Sequence, residues 1–419
     1  MDFATSSHPA VQQQLDRLAA LSLGGDRLGL ERITILLDRL DRPQDAMPPV
    51  LHVAGTNGKG STCAFLRAAI EAAGLRAHVF TSPHLVRFNE RIRLAGGLID
   101  DEALGALLEE VLDAGGDLEP SFFEATTAAA FLAFARTPAD ACVIEVGLGG
   151  RLDATNVVDA PIACGIASLG IDHESWLGHR LIDIAAEKAG IAKAGTPLMT
   201  QRYPVAVAAR VAEIAHEARA PLLARGSTWD AAANRGKLRY RDERGELALP
   251  LPRLPGRHQA LNAALAVAML RHQRRLVIPP AALSAAMGWA DWPARLQRLA
   301  EGPLTQGRET WIDGAHNEAA ARALAAALRR APKHLVLGIL ANKDATAIVE
   351  ALRCHALSLT FVPVPDHASH DPAALAAQFG GRAAASLGKA LAPLDAPILI
   401  AGSLYLAGEA LRANLQLPE

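Results

Sequence analysis

A glycine-rich turn early in the sequence carries a lysine and several hydroxyl groups. In order, its residues are Gly55, Thr56, Asn57, Gly58, Lys59, Gly60, Ser61 and Thr62. An apolar stretch before the turn predicts a buried strand, and an alanine-rich stretch after it predicts a helix. In that setting backbone N–H groups can converge on phosphate oxygens, Lys59 can reach a terminal phosphate, and Ser61 or Thr62 can offer a hydroxyl to Mg²⁺. The turn therefore predicts nucleotide binding.

The spacing of this turn departs from the usual phosphate loop. Only two residues separate Gly55 from Gly58, and Gly60 stands between Lys59 and Ser61. An ordinary glycine-rich turn between a strand and a helix is therefore the alternative interpretation. The lysine, the serine and the two flanking elements favour phosphate binding.

Acidic and imidazole groups follow two other apolar stretches. Glu145 lies at the end of one of them, and Asp172 and His173 follow another. Because ligands of parallel α/β sheets bind at the carboxyl ends of the strands, Glu145 could hold Mg²⁺ and His173 could be a second metal ligand or an orienting group. The alternatives are a structural acid paired with Arg151 and a structural histidine.

Strand and helix patterns alternate along the chain. Strands are predicted at 50–54, 77–80, 142–146, 162–166, 310–313, 334–339, 358–364 and 398–401, with a hairpin at 236–251. Helices are predicted at 8–21, 27–40, 61–73, 101–113, 124–135, 258–273, 280–289, 317–330 and 345–353. Such alternation predicts an α/β fold with a mostly parallel sheet of the phosphate-loop type, covered by helices on both faces.

The alternation restarts after Trp292-Pro293. We therefore expect two domains, an ATP-binding domain over 1–292 and a smaller, Rossmann-like α/β C-terminal domain over 293–419. The chain has 419 residues and a net charge of −2 without a basic stripe, which disfavours a nucleic-acid partner. No apolar stretch is long enough to predict a membrane span, the N-terminus does not resemble a signal peptide, and the four cysteines are dispersed. We expect a cytoplasmic monomer.

Several longer motifs resemble one known family. They lie at 53–61, 81–92, 122–126, 145–156, 187–191, 313–317 and 402–404, in family order over residues 28 to 408. The first resembles the ATP loop of the Mur ligase superfamily. The others, above all the segment from Thr81 to Ile92, resemble the folylpolyglutamate synthase and dihydrofolate synthase family, whose mobile folate-contacting loop is similar to residues 82–91.

The resemblance implies a role for each matching residue. ATP would be bound by residues 55–62, Asn262, Arg295 and Asp313; one Mg²⁺ by Ser82 and Glu145; a second Mg²⁺ by His173; and the pterin by Ser121, Phe122, Phe123, Asp153 and Ala154. Lys188 would be carbamylated by CO₂ and help to hold the second metal. The residues alone favour a solvated cation at a helix end for Lys188, and for Asp153 the alternative to pterin binding is a cap of the turn before Thr155.

The implied reaction joins L-glutamate to the carboxylate of dihydropteroate or of a reduced folate. ATP would convert that carboxylate to an acyl phosphate, which the glutamate amine would attack, giving ADP and phosphate; His316 is a candidate base. Four alternatives stay open: a synthase that only extends folates, a cell-wall Mur ligase, a non-catalytic nucleotide-binding module, and a route through an adenylate.

Two positions depart from the family pattern. Ala294 stands where the family usually has glycine before Arg295, a difference that bears on how that arginine is presented. Asn342-Lys343-Asp344 stands where Asp-Lys-Asp is commoner, and we interpret this segment as a linker or a surface turn.

Overall fold

The structure is a computed structural model of the chain and describes residues 4–21, 28–328, 333–395 and 397–418. The α-helices, in chain order, are α1 (Pro9–Leu21), α2 (Glu31–Arg39), α3 (Pro43–Ala46), α4 (Lys59–Ala72), α5 (Asp101–Gly115), α6 (Phe122–Arg136), α7 (Glu174–Leu177), α8 (Leu181–Ala189), α9 (Val205–Glu217), α10 (Arg257–His272), α11 (Pro280–Trp289), α12 (Glu318–Ala327), α13 (Ala345–Leu352), α14 (Pro372–Phe379), α15 (Leu387–Leu391) and α16 (Leu404–Ala413). The predicted helices at 27–40 and 317–330 are confirmed, except that residues 27, 329 and 330 lie outside the described residues.

The strands form three sheets. In chain order they are β1 (Val50–Ala54), β2 (Ala77–Phe80), β3 (Ile92–Leu94), β4 (Gly97–Leu98), β5 (Ala141–Glu145), β6 (Ala163–Ile166), β7 (Leu198–Thr200), β8 (Leu222–Ala224), β9 (Trp229–Asn234), β10 (Lys237–Asp242), β11 (Gly245–Pro250), β12 (Gln297–Arg298), β13 (Thr310–Ile312), β14 (Lys333–Leu337), β15 (Ala356–Phe361), β16 (Arg382–Ala383) and β17 (Ile398–Ala401).

The largest sheet has eight strands in the order β4-β3-β2-β5-β1-β6-β7-β8. β1 lies at its centre and pairs in parallel with β5 and β6, whereas β3 and β4 pair antiparallel at one edge. Successive side chains of a strand point to opposite faces. Val50 accordingly enters the core beneath α1, α2, α5 and α6, and Leu51 enters the core beneath α4, α10 and α11. The predicted parallel sheet with helices on both faces is confirmed.

The second parallel sheet has six strands in the order β12-β13-β17-β14-β15-β16, of which only β12 pairs antiparallel. Buried clusters cover both of its faces.

The predicted hairpin is present as β10 and β11, and β9 completes a three-stranded antiparallel sheet. In the part of the chain that the structure describes, no helix is both long and apolar enough to cross a membrane.

Candidate active site

The phosphate loop connects β1 to α4 and is packed tightly on two sides. Gly58 caps α4 with a φ of +87°, and a Cβ there would lie 2.4 Å from Oδ1 of Asn262 on α10. A Cβ on Gly60 would lie 2.6 Å from the ring of Trp292. Both glycines are therefore needed for close approach, and the structure brings Asn262 to the loop as the sequence predicts.

Two backbone amides of the loop are engaged within the protein. The N–H groups of Thr56 and Asn57 donate to the carbonyl oxygen of Ser168, at 2.8 and 3.2 Å. The first turn of a helix has N–H groups without intrahelical partners, so an anion would meet the amides at the start of α4. The hydroxyl of Ser61 in that turn is buried and, among the described residues, has no hydrogen-bond partner. An unpaired buried hydroxyl here fits a metal or phosphate ligand.

Lys59 and Glu145 face each other across the carboxyl end of the sheet. The Nζ of Lys59 lies 3.8 Å from Oε1 of Glu145, and the backbone N–H of Ser82 donates to the other carboxylate oxygen at 3.4 Å. Burial raises the pKa of Glu145, and the charge of Lys59 and the Ser82 amide oppose that shift. Arg151 pairs instead with Glu187 at 2.8 Å. The alternative interpretation, a structural Glu145–Arg151 pair, is wrong.

Lys188 lies near the end of α8 with only 4% of its surface exposed, so the interpretation of a solvated cation is also wrong. Burial and, next, the charge of Lys59 lower the pKa of Lys188 to about 7, against the opposing charges of Asp172, Asp153 and Glu187. The helix passes close to the loop after β5, since a Cβ on Gly150 would lie 3.0 Å from Cα of Lys188. Lys188 therefore lies near the loop after β5, within reach of the charges of Lys59, Asp172 and Asp153.

His173 is the N-cap of the short helix α7. Its pKa is lowered, first by loss of water in the crevice and then by Lys343, Lys59 and Lys188, while Asp172 opposes the shift. The ring is thus neutral near pH 7, the form that binds a metal.

The C-terminal sheet brings its predicted residues to the same crevice. Both carboxylate oxygens of Asp313 accept backbone N–H groups, from Leu296 at 2.7 Å and from Ala315 at 2.8 Å. Asp313 therefore fixes the segment that carries Arg295. Burial lowers the pKa of Arg295, and the charges of Asp313 and Glu145 oppose this. Ala294 is buried and has a φ of +56°, a backbone conformation that explains the glycine usual in the family.

Lys343 is a site residue that the sequence interpretation missed. Its ammonium group donates to Oδ1 of Asp172, with side-chain exposures of only 11% and 5%. The segment 342–344 does lie in a surface turn, with Asn342 and Asp344 exposed, but Lys343 turns inward from it and does not fit that interpretation. Nε2 of His316 lies 3.4 Å from Oδ2 of the same carboxylate. Lys343 is part of the family pattern, but no local motif in the sequence indicates that Asp172 is its partner.

The predicted pterin residues lie at the start of α6 and in the turn after β5, and two of them make structural hydrogen bonds. Ser121 and its partner Glu124 form a capping box at the start of α6. Asp153 is buried, and its oxygens accept from the N–H of Leu148 at 2.8 Å and of Thr155 at 3.0 Å. The turn-cap interpretation of Asp153 is thus confirmed.

The other three predicted pterin residues, Phe122, Phe123 and Ala154, are apolar. The ring of Phe123 covers Gly147, because a Cβ there would lie 2.4 Å from it. Phe122 packs edge-on against Phe88, and Ala154 is buried. Phe123 thus packs against the loop that follows β5 and leads to Asp153.

A cavity of about 320 Å³ lies beside α4 and reaches Glu145; it is the crevice between the two large sheets. Its lining includes Ser82, Arg67, Trp292 and Arg295, as well as Leu404 on α16. The cavity therefore lies between elements of the two large sheets, where an acceptor could reach the phosphate loop.

No group of three or more His, Cys, Asp and Glu side chains that could hold a metal occurs among the described residues. Mg²⁺ needs no such group, because it is commonly bound through one or two carboxylates together with hydroxyls, waters and phosphate oxygens. Glu145, the unpaired hydroxyl of Ser61 and the nearby Ser82 fit that kind of donor set.

The parallel sheet, the phosphate loop and the buried strand-end carboxylate facing a second α/β sheet define an ATP-dependent ligase with the Mur ligase fold. The Escherichia coli K12 dihydrofolate synthase/folylpolyglutamate synthase is 38% identical over 322 residues, 76% of this chain and 73% of that protein. The Lacticaseibacillus casei folylpolyglutamate synthase is 35% identical over 408 residues, 90% of this chain and 92% of that protein. The chain belongs to the dihydrofolate synthase/folylpolyglutamate synthase family.

Solved structures agree with this assignment. The E. coli enzyme FolC in complex with DHPP and ADP superposes with a TM-score of 0.86 at 31% identity, covering 97% of this chain and 98% of that one. A bifunctional folylpolyglutamate synthase/dihydrofolate synthase with Mn, AMPPNP and L-glutamate bound has a TM-score of 0.86 at 30% identity, covering 98% and 99%. No model of a protein family matches the chain.

Proposed function

We propose that this chain uses ATP to join L-glutamate to a folate-type carboxylate, acting both on dihydropteroate and on reduced folates or their polyglutamates. The observation that supports it best is the pair of Lys59 and Glu145, 3.8 Å apart, beside the unpaired hydroxyl of Ser61. A cation, a carboxylate and helix N–H groups gathered at one point support binding of a nucleotide's terminal phosphate there.

A carboxylate cannot be attacked directly by an amine, because oxide is too poor a leaving group. Transfer of the γ-phosphoryl group of ATP to the acceptor gives an acyl phosphate, from which phosphate can leave. Lys59 and the N–H groups at the start of α4 would stabilise the charge on the transferred group. The amine of glutamate then attacks the acyl carbon and loses a proton, for which His316 is the candidate base.

Water must be kept from the acyl phosphate, which it would hydrolyse. The crevice between the two large sheets, bordered by Trp292 and Arg295, provides that exclusion. Asp313 keeps the Arg295 segment in place through its two backbone hydrogen bonds. We also propose that Asn262 contacts the nucleotide, since it lies against Gly58 of the loop.

Two Mg²⁺ ions are part of the proposal. Ser82 and Glu145 would hold the first, and His173 the second. Bound Mg²⁺ would neutralise phosphate charge during the transfer. Removal of divalent cations with a chelator is expected to stop ADP formation, and added Mg²⁺ to restore it.

We propose that Lys188 is carbamylated by CO₂. Its amine is buried beside the crevice, and because its pKa is lowered to about 7 a large fraction is neutral and able to attack CO₂ near neutral pH. The product is an anion that can help to hold the second metal. Native mass spectrometry tests this: wild type should carry one CO₂ that is lost in acid, and Lys188→Arg should not.

The dual acceptor specificity is tested by product analysis with dihydropteroate and with a reduced folate side by side. Glutamate addition to both, with ADP as the nucleotide product, supports the proposal. Addition to reduced folate alone would make the chain a synthase that only extends folates. ATP binding without amide formation would make it a nucleotide-binding module, and AMP with pyrophosphate would show an adenylate route.

The pterin would lie against Phe122, Phe123 and Ala154, with Ser121 and Asp153 at its edge.

The remaining proposals concern organisation: a division of the chain near residue 292, a monomer, a cytoplasmic location and no nucleic-acid partner. Light scattering at micromolar protein concentration tests the monomer.

A further inference from the structure

A chain of four polar side chains connects the phosphate loop to the C-terminal sheet. Asn57 and Asn317 exchange two amide hydrogen bonds of 3.1 Å. Asn317 also donates to Oδ2 of Asp172 at 2.9 Å, and Lys343 donates to Oδ1 of Asp172. Asn57 and Asp172 follow strands of the eight-stranded sheet, whereas Asn317 and Lys343 precede α12 and α13 beside the six-stranded sheet.

The members of this chain are held in single orientations. Oδ1 of Asn317 accepts the N–H of Ala320 as the cap of α12, so its amide cannot rotate without losing that bond. Oδ1 of Asp172 accepts the N–H of His173 at 2.8 Å in addition to the lysine. Both Asp172 oxygens thus accept a donor from the C-terminal residues, and one of them also orients the backbone of His173.

We propose that Asp172 is a positioning residue: by accepting Lys343 and Asn317, it sets the closed arrangement in which the C-terminal residues, the phosphate loop and His173 meet at one place. The expected fall in kcat rests on the proposed function, whereas the expected change in hydrogen exchange does not. Asp172 contacts no reacting atom in this proposal. It acts through Asn57 and His173, which border the phosphate site.

A buried ion pair is weak evidence for stability, because desolvation offsets the attraction between the charges. Loss of one partner is costly, however, since it leaves the other charge buried and uncompensated. Without Lys343 the Asp172 carboxylate would draw water into the contact, and the two sheets would separate at the phosphate end. His316, with Nε2 3.4 Å from Oδ2 of Asp172, is the other side chain that faces this carboxylate.

The test compares Lys343→Met, Lys343→Arg, Asp172→Asn and the double variant Lys343→Met/Asp172→Asn. Lys333→Met is the matched control, because Lys333 is also largely buried and pairs with Glu309 at 3.6 Å entirely within the C-terminal residues. Lys343→Met is expected to lower kcat about 10-fold while changing the KM for ATP less than 3-fold. Lys343→Arg should recover most of kcat, and the double variant should be no slower than Lys343→Met.

Hydrogen exchange on the substrate-free proteins supplies a readout that needs no activity. Lys343→Met should speed exchange both at 56–60 and at 316–320, on opposite sides of the contact, and Lys333→Met should not speed it at 56–60. The proposal is overturned if Lys343→Met matches the control in kcat and in exchange at 56–60, or if the effects of the two single variants simply multiply. If the wild type forms no ADP but Lys343→Met still speeds exchange at 56–60 and at 316–320, the proposed function is refuted and the positioning role of Asp172 stands.

Discussion

The ammonium group of Lys59 lies 3.8 Å from Oε1 of Glu145, across the gap between the first turn of α4 and the end of β5. Only 5% of the Glu145 side chain is exposed, so its charge depends on nearby cations. A metal ion and a nucleotide entering this gap would meet both groups, the carboxylate binding the cation and the lysine facing phosphate. The pair therefore holds the two side chains facing each other at the place where substrates would arrive.

Replacement of Lys59 by alanine tests this relationship. The variant loses a charge beside the transferred phosphoryl group and leaves Glu145 uncompensated, so kcat should fall by about 100-fold or more with either acceptor. ADP release in a coupled assay is the measurement. Lys389→Ala, which removes an exposed lysine of α15, should keep wild-type activity. A kcat for Lys59→Ala within 10-fold of wild type would contradict the assigned role.

Replacement of Gly150 by alanine should move the helix that carries Lys188. The added Cβ would lie 2.7 Å from the carbonyl oxygen of Glu187 and 3.0 Å from Cα of Lys188. Both are backbone atoms of α8, which cannot rotate away as a side chain could. We expect a loss of about 1–3 kcal/mol in the free energy of unfolding and a fall in kcat. Gly288→Ala in α11 is the control, because its Cβ would meet nothing within 4 Å. Unchanged stability and activity of Gly150→Ala would show that α8 adjusts without cost.

The parts of this fold that sequence predicts well are those with local causes. The apolar residues 50–54 and the glycines after them predict β1, the phosphate loop and α4, because strand burial and turn conformation depend on neighbouring residues. Strand β9 was not predicted, since Ala231, Ala232 and Ala233 lack the β-branched or aromatic side chains typical of strands. It forms because β10 offers it a partner.

Site residues within continuous sequence motifs were predicted, whereas contacts between residues far apart in the chain were missed. Lys188 has the sequence of a solvated helix end, and only the packing of α8 against Gly150 buries it. Asp172 and Lys343 are 171 residues apart in the chain, and neither has a local feature that indicates the other. Side-chain contacts between two sheets depend on how the sheets pack, which single-residue patterns do not specify.

Ala294 permits a prediction about backbone conformation. Its φ of +56° disfavours β-branched residues strongly, and its position is fully buried. Ala294→Val should destabilise the chain by about 2 kcal/mol or more and weaken nucleotide binding through Arg295. Ala294→Gly is the control: relief of strain and loss of a buried methyl group offset each other, so stability should change by less than about 1 kcal/mol. Thermal unfolding with and without ADP measures both effects, and equal stability of the valine and glycine variants would refute the argument.

His52 should make the stability of the fold sensitive to acid. It lies fully buried in the middle of β1, its Nε2 is 2.9 Å from Oγ1 of Thr155, and burial lowers its pKa to about 3, with a further contribution from Lys193. An unfolded chain has the ordinary histidine pKa of about 6.5. Between those two values the unfolded state binds a proton that the folded state does not, so stability falls as the pH decreases from 6.5 towards 3, by at most about 1.4 kcal/mol per pH unit.

Replacement of His52 by glutamine isolates this contribution, because glutamine can still donate to Thr155 but does not titrate. Urea unfolding of both proteins at pH 7, 6 and 5 gives their difference in free energy, in which contributions of the other titrating groups cancel. Relative to wild type, the variant should gain about 1 kcal/mol in free energy of unfolding for each pH unit below pH 6. His179→Gln, a change at a histidine side chain that is 80% exposed, should follow wild type. If His52→Gln and wild type instead lose stability in parallel, the folded state must accept a proton at His52, and the strand must open locally to solvent in acid.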